Sequence, residues 1–210
     1  MDTDSTHTPS LSDTFNELQN SFLAQSYLPI DKRIVLLKTL HKRIVSNEQA
    51  FIDAASKDFG YRTAFDTLLG DILPTVQGLA HIIKKLPKWA KPSKRSTSLS
   101  LWPSKVSVTY QPLGVVGVIA PWNYPIQLAL VPVITAIAAG NRVMLKLSEF
   151  TPHTNAVIEK IFADELQAHC KVVLGASDVA SEFSALPFAH LLFTGSTSVG
   201  KLVMKAASEN

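Results

Sequence analysis

Three short polar segments, each at the end of an apolar run, carry the side chains of this sequence that could do chemistry. Asn123 follows the first run, Lys146 and Glu149 end the second, and a turn with two glycines, 194–200, follows the last. An amide can donate to a developing oxyanion, an ammonium and a carboxylate can bind ribose hydroxyls, and the free N–H groups of a turn into a helix attract phosphate. Together these groups indicate a nucleotide-dependent enzyme.

Each segment taken alone also has a purely structural explanation. Asn123 suits the cap of the helix that follows it, and Lys146 with Glu149 suits a surface ion pair at a helix entrance. The turn 194–200 is neither a G-x-G-x-x-G fingerprint nor a P-loop, and glycine-containing turns into helices are common. The functional interpretation therefore requires a fold that brings the three segments together.

The second half of the chain predicts such a fold. From Gly114 onward the predicted strands are 115–120, 142–147, 171–174 and 190–193, and the predicted helices are 126–139, 152–166, 178–186 and 198–208. Consecutive β-α units form a parallel sheet with helices on both faces, and open parallel sheets bind ligands at the carboxyl ends of their strands. Thr151, before Pro152, is the predicted cap of the second of these helices.

The first half predicts helices, so the fold class is α/β. Apolar residues recur at helical spacing in 34–44 and again from Leu68 to Ile83, in a helix predicted to run over 64–89 until Pro87 and Pro92 end it. The predicted organisation is a helical region over 1–95, a connecting strand or hairpin over 96–113 that is exposed on one face, and a βα domain over 114–210.

Composition and charge exclude several classes of protein. The chain has 210 residues, of which 46% are hydrophobic and 18% charged, so we expect a globular protein. No acidic residue lies between Asp71 and Glu149, and the basic residues of 84–105 indicate either a nucleic-acid surface or a solvated connecting loop. We favour the loop, because these lysines surround prolines rather than follow a periodic helix.

Cysteine usage and the chain start bear on compartment and metals. Cys170 is the single cysteine, which excludes an intrachain disulfide and a thiolate zinc cluster, and no metal site is expected. The start is acidic and polar, unlike a secretory signal, and the most apolar run, 126–139, is shorter than the roughly 20 residues that span a bilayer. We expect a cytoplasmic protein that binds neither membrane nor nucleic acid.

In order and spacing, five segments resemble the aldehyde dehydrogenase superfamily. They are Gln-Pro-Leu-Gly-Val-Val-Gly (111–117), Pro-Trp-Asn-Tyr-Pro (121–125), Ala-Ala-Gly-Asn (138–141), Leu-Lys-Leu-Ser-Glu-Phe-Thr-Pro (145–152) and Phe-Thr-Gly-Ser-Thr-Ser-Val-Gly (193–200). The resemblance is strong from Tyr110 to Asn210 and is greatest to the class-3-like branch, which also contains coniferyl aldehyde dehydrogenases. Leu147 stands where the family commonly has proline.

The resemblance implies a Rossmann-like dinucleotide-binding domain and a role for each matching residue. Asn123 would be catalytic, as donor to the thiohemiacetal oxyanion. The implied cofactor-binding residues are Pro121 and Trp122 beside the cofactor, Lys146 and Glu149 at the adenosine ribose with Ser148 next to them, Gly175 in the adenine pocket, and Gly195, Ser196 and Val199 at the pyrophosphate. NAD is expected and NADP is the alternative, because a carboxylate there opposes a 2′-phosphate whereas a lysine tolerates one.

The implied function is oxidation of an aldehyde, coniferyl or another aromatic or aliphatic one, to a carboxylic acid, in a homodimer or homotetramer. The family uses a cysteine nucleophile and a glutamate base, and both are expected beyond the point that matches Asn210. Cys170 precedes the predicted strand 171–174 and lies at its amino end, opposite the expected cofactor site, so it is not expected to be the nucleophile. We therefore expect an inactive fragment whose sheet is incomplete at the carboxyl end. A non-catalytic dinucleotide-binding module and a nucleic-acid-binding protein remain alternatives.

Overall fold

The computed structural model describes residues 9–210, so the acidic start on which the expected compartment depends lies largely outside the described residues. The helices are α1 Leu11–Ala24, α2 Ile30–Ser46, α3 Glu48–Phe59, α4 Ala64–Thr67, α5 Leu73–Trp89, α6 Gln127–Ala139, α7 Pro152–Ile161, α8 Ser177–Ser184 and α9 Thr197–Ala207. The strands are β1 Ser93–Arg95, β2 Val106–Val108, β3 Val115–Ile119, β4 Arg142–Lys146, β5 Cys170–Val173 and β6 His190–Phe193.

The last four strands form one parallel sheet in the order β5-β4-β3-β6. Each is followed by a helix, and the elements agree with the predicted ones to within a few residues. The predicted α/β class, with a parallel sheet and a helical amino-terminal region, is confirmed.

Helices cover both faces of the sheet. Val116 and Val118 of β3 point into the larger core, which they share with buried residues of α2, α3, α5, α6 and α7. Val115 and Ile119 point to the opposite face, into a smaller core with α1 and α8. Because the helices of the first 90 residues contribute to these cores, they stabilise the sheet directly.

The segment before the sheet is a short antiparallel hairpin rather than a half-buried strand. β1 pairs with β2, and β1 begins before the predicted range 96–113. All of β2 is exposed, including Val106 and Val108. The alternation in this segment therefore marks a ribbon with solvent on both faces.

The predicted helix over 64–89 is present but contains a π-helical turn at Leu68–Ile72. Pro74 has no N–H to donate to the carbonyl of Gly70, and the wider turn lies directly before it. The prediction that Pro87 helps to end the helix is wrong, since the helix continues through it to Trp89. The π turn places Asp71 in the interior, where it is fully buried.

The cap of α7 differs from the predicted one. Thr151 makes no capping hydrogen bond, because its hydroxyl points to Asn155 Oδ1 at 3.3 Å. The carboxylate of Asp58 in α3 accepts instead from the N–H groups of His153 at 3.0 Å and Thr154 at 2.8 Å. A carboxylate at this end also complements the helix dipole, which a hydroxyl does less well.

We predict that Gly117→Ala destabilises the fold by about 1–3 kcal/mol, because a Cβ there would lie 2.7 Å from Leu191 Cδ1 and from the Phe188 ring. That ring cannot easily move, since it packs against Phe183 and Phe15. Urea unfolding measures the change. The control is Gly78→Ala, where a helical Cβ meets no atom within 4 Å and should stabilise by about 0.5–1 kcal/mol. Equal effects would contradict the packing argument.

Candidate active site

The ends of the parallel strands lie level with one another. Ile119 of β3 is paired with Lys146 on one side and Phe193 on the other, and Lys146 is paired with Val173. The segments that follow the strands therefore leave the same edge of the sheet, as the sequence predicts.

Asn123 lies in an exposed turn between β3 and α6, and its side-chain amide makes no hydrogen bond to any of residues 9–210. The alternative that Asn123 caps α6 is wrong, because the helix begins at Gln127, whose N–H donates to Asp71 Oδ1 at 2.8 Å. Pro121 is half-buried and Trp122 is 53% exposed, with its ring centroid 6.3 Å from that of Phe59. The turn therefore presents a free amide and an indole face at the sheet edge.

Lys146 is buried, with 2% of its surface exposed. Its Nζ donates to the carbonyl of Leu147 at 2.8 Å and lies 3.7 Å from Glu149 Oε2. Burial lowers the pKa of Lys146, while the negative charges of Glu149 and Asp178 act in the opposite direction. The ion pair of the structural alternative is therefore present, but its lysine is buried rather than at the surface.

Ser148 and Gly175 lie beside this lysine. Ser148 is 8% exposed, and its carbonyl is held by the side chain of Asn155 at 2.8 Å. Gly175 follows β5 with φ of +143°, where an L side chain is strained, and a Cβ would collide with Val179. At Gly175 the backbone after β5 therefore carries no side chain and lies close to α8.

The turn after β6 begins α9 and is exposed. Ser196 is the N-cap, and its Oγ accepts from the N–H of Val199 at 3.4 Å. A Cβ on Gly195 would collide with the ring of Phe193, so this glycine also has a packing role. Exposed Gly195, Ser196 and Val199 leave a helix start open to a ligand at the edge that carries Lys146.

A cleft of about 490 Å³ opens beside Asn123. Four of its nine lining residues are aromatic, and the residues are Phe59, Tyr61, Arg62, Phe65, Asp66, Leu69, Gly70, Asn123 and Tyr124. Most of this wall comes from residues 59–70, which include the end of α3, α4 and the π turn, and for which the sequence motifs predict no site residue. The available signal was the cluster of aromatic residues over 59–65, in a stretch otherwise predicted to be helical.

The basic stretch over 84–105 covers the end of α5, strand β1 and the connection to β2. Most of its lysines are exposed, and none of its residues lines the cleft. Among residues 9–210, no helix has both the length and the apolar character needed to span a bilayer.

A parallel sheet that gathers a free amide, a buried lysine and an open helix start at one edge is the arrangement typical of nucleotide-binding α/β proteins. The chain matches the aldehyde dehydrogenase family over residues 10–210. A Pseudomonas aeruginosa relative, named a probable coniferyl aldehyde dehydrogenase, is 46% identical over 93% of this chain and 41% of that protein. The chain belongs to the aldehyde dehydrogenase family, as the resemblance predicts.

Solved structures of aldehyde dehydrogenases share the fold of this chain. The Staphylococcus aureus protein AldH in a substrate-bound state is 33% identical with a TM-score of 0.91, over 97% of this chain and 44% of that one. The Pseudomonas syringae indole-3-acetaldehyde dehydrogenase, solved with NAD+, is 25% identical with a TM-score of 0.82, over 95% and 40%. The family uses NAD or NADP. The chain spans less than half the length of these relatives.

We predict that Cys170 does not react with a thiol reagent while the protein is folded. It is 1% exposed at the start of β5, and burial raises the pKa of its thiol, so little reactive thiolate forms. Labelling with a chromogenic disulfide at pH 8 should therefore proceed at the rate of unfolding and accelerate in urea. Rapid stoichiometric labelling of the folded chain would contradict this placement.

Proposed function

We propose that the protein to which this chain belongs oxidises aldehydes to carboxylic acids with NAD or NADP, and that Asn123 donates to the oxyanion. The observation that carries the proposal is the unbonded amide of Asn123. It lies between an aromatic cleft and the sheet edge where Lys146 is buried.

The chemistry requires a donor at this place. Attack of a nucleophile on the aldehyde carbon converts the carbonyl oxygen into an oxyanion, and a fixed amide N–H that meets it stabilises the transition state by about 3 kcal/mol. An amide already committed to a helix cap could not do so without losing that bond. Asp71 holds the N–H of Gln127 instead, which leaves Asn123 available.

The nucleophile is proposed to be a thiol outside these 210 residues. Cys170, the single cysteine, is buried at the start of β5, whereas Asn123 follows the carboxyl end of β3. In a parallel sheet the amino ends of the strands lie at one edge and the carboxyl ends at the other, so Cys170 and Asn123 lie at opposite edges. Because the relatives are more than twice as long as the matched region, they offer room for both a nucleophile and a general base.

The residues at the sheet edge fit a dinucleotide. Lys146 retains ammonium protons for hydroxyl oxygens, and Glu149, 36% exposed, can accept from ribose hydroxyls. The bare backbone at Gly175 and the helix start at Gly195, Ser196 and Val199 suit the adenine and the pyrophosphate, while Pro121, Trp122 and Ser148 complete the lining. When bound, the cofactor supplies the hydride acceptor. Glu149 favours NAD over NADP, because it opposes a 2′-phosphate.

The cleft supports an aromatic or long apolar aldehyde as substrate. Four aromatic side chains, Phe59, Tyr61, Phe65 and Tyr124, line it next to Asn123. Ring faces bind flat apolar groups through contact area and edge-to-face packing. Coniferyl aldehyde, named for the Pseudomonas aeruginosa relative, has this character.

A non-catalytic dinucleotide-binding module is the second candidate, because the sheet edge by itself would serve it. Such a module would need neither the unbonded amide of Asn123 nor the aromatic cleft beside it. The two candidates therefore differ in the effect of Asn123 on turnover.

We predict that Lys146→Met weakens NAD binding about 10- to 100-fold, because it removes charge-assisted hydrogen bonds to the ribose. Calorimetry on the 210-residue chain measures the dissociation constant. The matched control is Lys171→Met, which removes another strand lysine that pairs with a glutamate, Glu17, at 2.8 Å. Equal losses in both variants would contradict a ribose site at Lys146.

We predict that Asn123→Ala lowers kcat for aldehyde oxidation about 100- to 1000-fold, with NAD binding unchanged, because it removes only an oxyanion donor. The assay uses the protein at the length of its relatives, with an aromatic and an aliphatic aldehyde. The control is Asn16→Ala, at an exposed position of α1. Undiminished turnover would exclude Asn123 as donor, and absence of turnover in the unaltered protein would favour the binding module.

A further inference from the structure

Two oppositely charged residues are buried beneath the Asn123 turn. Arg62 Nη2 lies 2.9 Å from Asp71 Oδ2, and only 9% and 0% of their side chains are exposed. A buried ion pair loses so much hydration that its contribution to stability is small or unfavourable compared with apolar residues. Burial raises the pKa of Asp71 even though the Gln127 N–H and the Arg62 charge act to lower it. Stability alone does not account for this pair.

The other contacts of the pair lie on the turn itself. Arg62 Nη1 donates to the main-chain carbonyl of Asn123 at 3.0 Å, and Asp71 Oδ1 accepts from the N–H of Gln127 at 2.8 Å. One residue thus holds the start of the segment 123–127 and the other holds its end. The ion pair connects the two attachments.

Two aromatic rings contact the guanidinium group. Its central carbon lies 4.9 Å from the ring centroid of Phe59 and 5.1 Å from that of Tyr124. The space is tight, because a Cβ on Gly70 would lie 2.9 Å from Tyr124 Cε1 and 3.7 Å from Arg62 Nη2. A planar fork between two rings has little freedom to turn, which an ammonium on a flexible stem would retain.

We propose that Arg62, held by Asp71, is the positioning residue that sets the direction of the Asn123 amide. The side chain of Asn123 has no hydrogen bond of its own within residues 9–210. Its direction therefore follows from the main chain of Asn123, whose carbonyl accepts the hydrogen bond from Arg62. The inference rests on the proposed function, because the direction of the amide matters only if an oxyanion forms there. Arg62 acts through Asn123, since its contact with the turn is the hydrogen bond to the Asn123 carbonyl.

The test is Arg62→Lys in the protein at the length of its relatives. Lysine keeps the charge beside Asp71 but cannot hold both the carboxylate and the Asn123 carbonyl in one plane. A small displacement of a reacting group costs up to about 100-fold in rate, so we expect kcat to fall about 10- to 100-fold, with NAD affinity unchanged within about twofold. Amide hydrogen exchange over 123–127 should become faster.

The matched control is Arg43→Lys. Arg43 is also partly buried, pairs with Glu165 at 3.0 Å, and donates to the carbonyls of Ile161 and Ala163, none of which lines the cleft. Replacement of the Arg43 guanidinium by an ammonium should leave kcat and amide hydrogen exchange over 123–127 unchanged. A similar fall in kcat in both variants would show a general loss of structure and would overturn the proposal.

Combination with Asn123→Ala separates this inference from the proposed function. If Arg62 acts through Asn123, Arg62→Lys should lower kcat little further once the amide is gone, whereas independent effects would multiply and overturn the positioning role. If Asn123→Ala leaves turnover intact, Asn123 is not the oxyanion donor. Hydrogen exchange over 123–127 still tests whether Arg62 holds the main chain of the turn. Unchanged exchange over 123–127 in Arg62→Lys would overturn the inference whatever the turnover.

Discussion

The arrangement of the candidate site depends on two carboxylates of the first 71 residues, which bind the amino ends of the two helices that follow its turns. Carboxylates hold the amino ends, and guanidinium groups hold the carboxyl ends. Asp71 binds the start of α6 and Arg33 binds the Ala138 carbonyl at its end, while Asp58 binds the start of α7 and Arg43 binds the Ile161 carbonyl at its end. Each sign matches the helix dipole at that end, so the contacts fix both position and direction.

This pattern explains how the helical region and the sheet share one site. The turn with Asn123 leads into α6, and the turn with Lys146 and Glu149 leads into α7, so a helix start held from the helical region also holds the turn before it. The level ends of β3 and β4 then set the spacing between the two turns. Rigid elements support both, which is what a preorganised donor and a cofactor site require.

The sequence was sufficient for the sheet because its signals are local. Strands buried on both faces read as short apolar runs, and the turns after them carry the family's motifs, so β3 to β6 and the position of Asn123 could be predicted. The π turn and the Asp58 cap could not. They depend on contacts between residues such as Asp58 and Thr154, 96 positions apart, and no local pattern encodes such a pairing. In the sequence, Asp71 is an acidic residue beside the apolar positions of a predicted helix, and this pattern does not predict its contact with Gln127.

The two halves of the chain thus make separate contributions to recognition. The cleft wall from Phe59 to Gly70 lies in the helical region, and the proposed dinucleotide site lies at the carboxyl edge of the sheet. Substitutions on α4 can therefore change the shape of the cleft without changing the strand ends. The exception is the contact between Arg62 and Asn123, since Arg62 both lines the cleft and grips the turn at the sheet edge. Changes of cleft shape that move this arginine would alter the rate of the chemistry as well as the choice of substrate, because the wall and the proposed oxyanion donor share one guanidinium group.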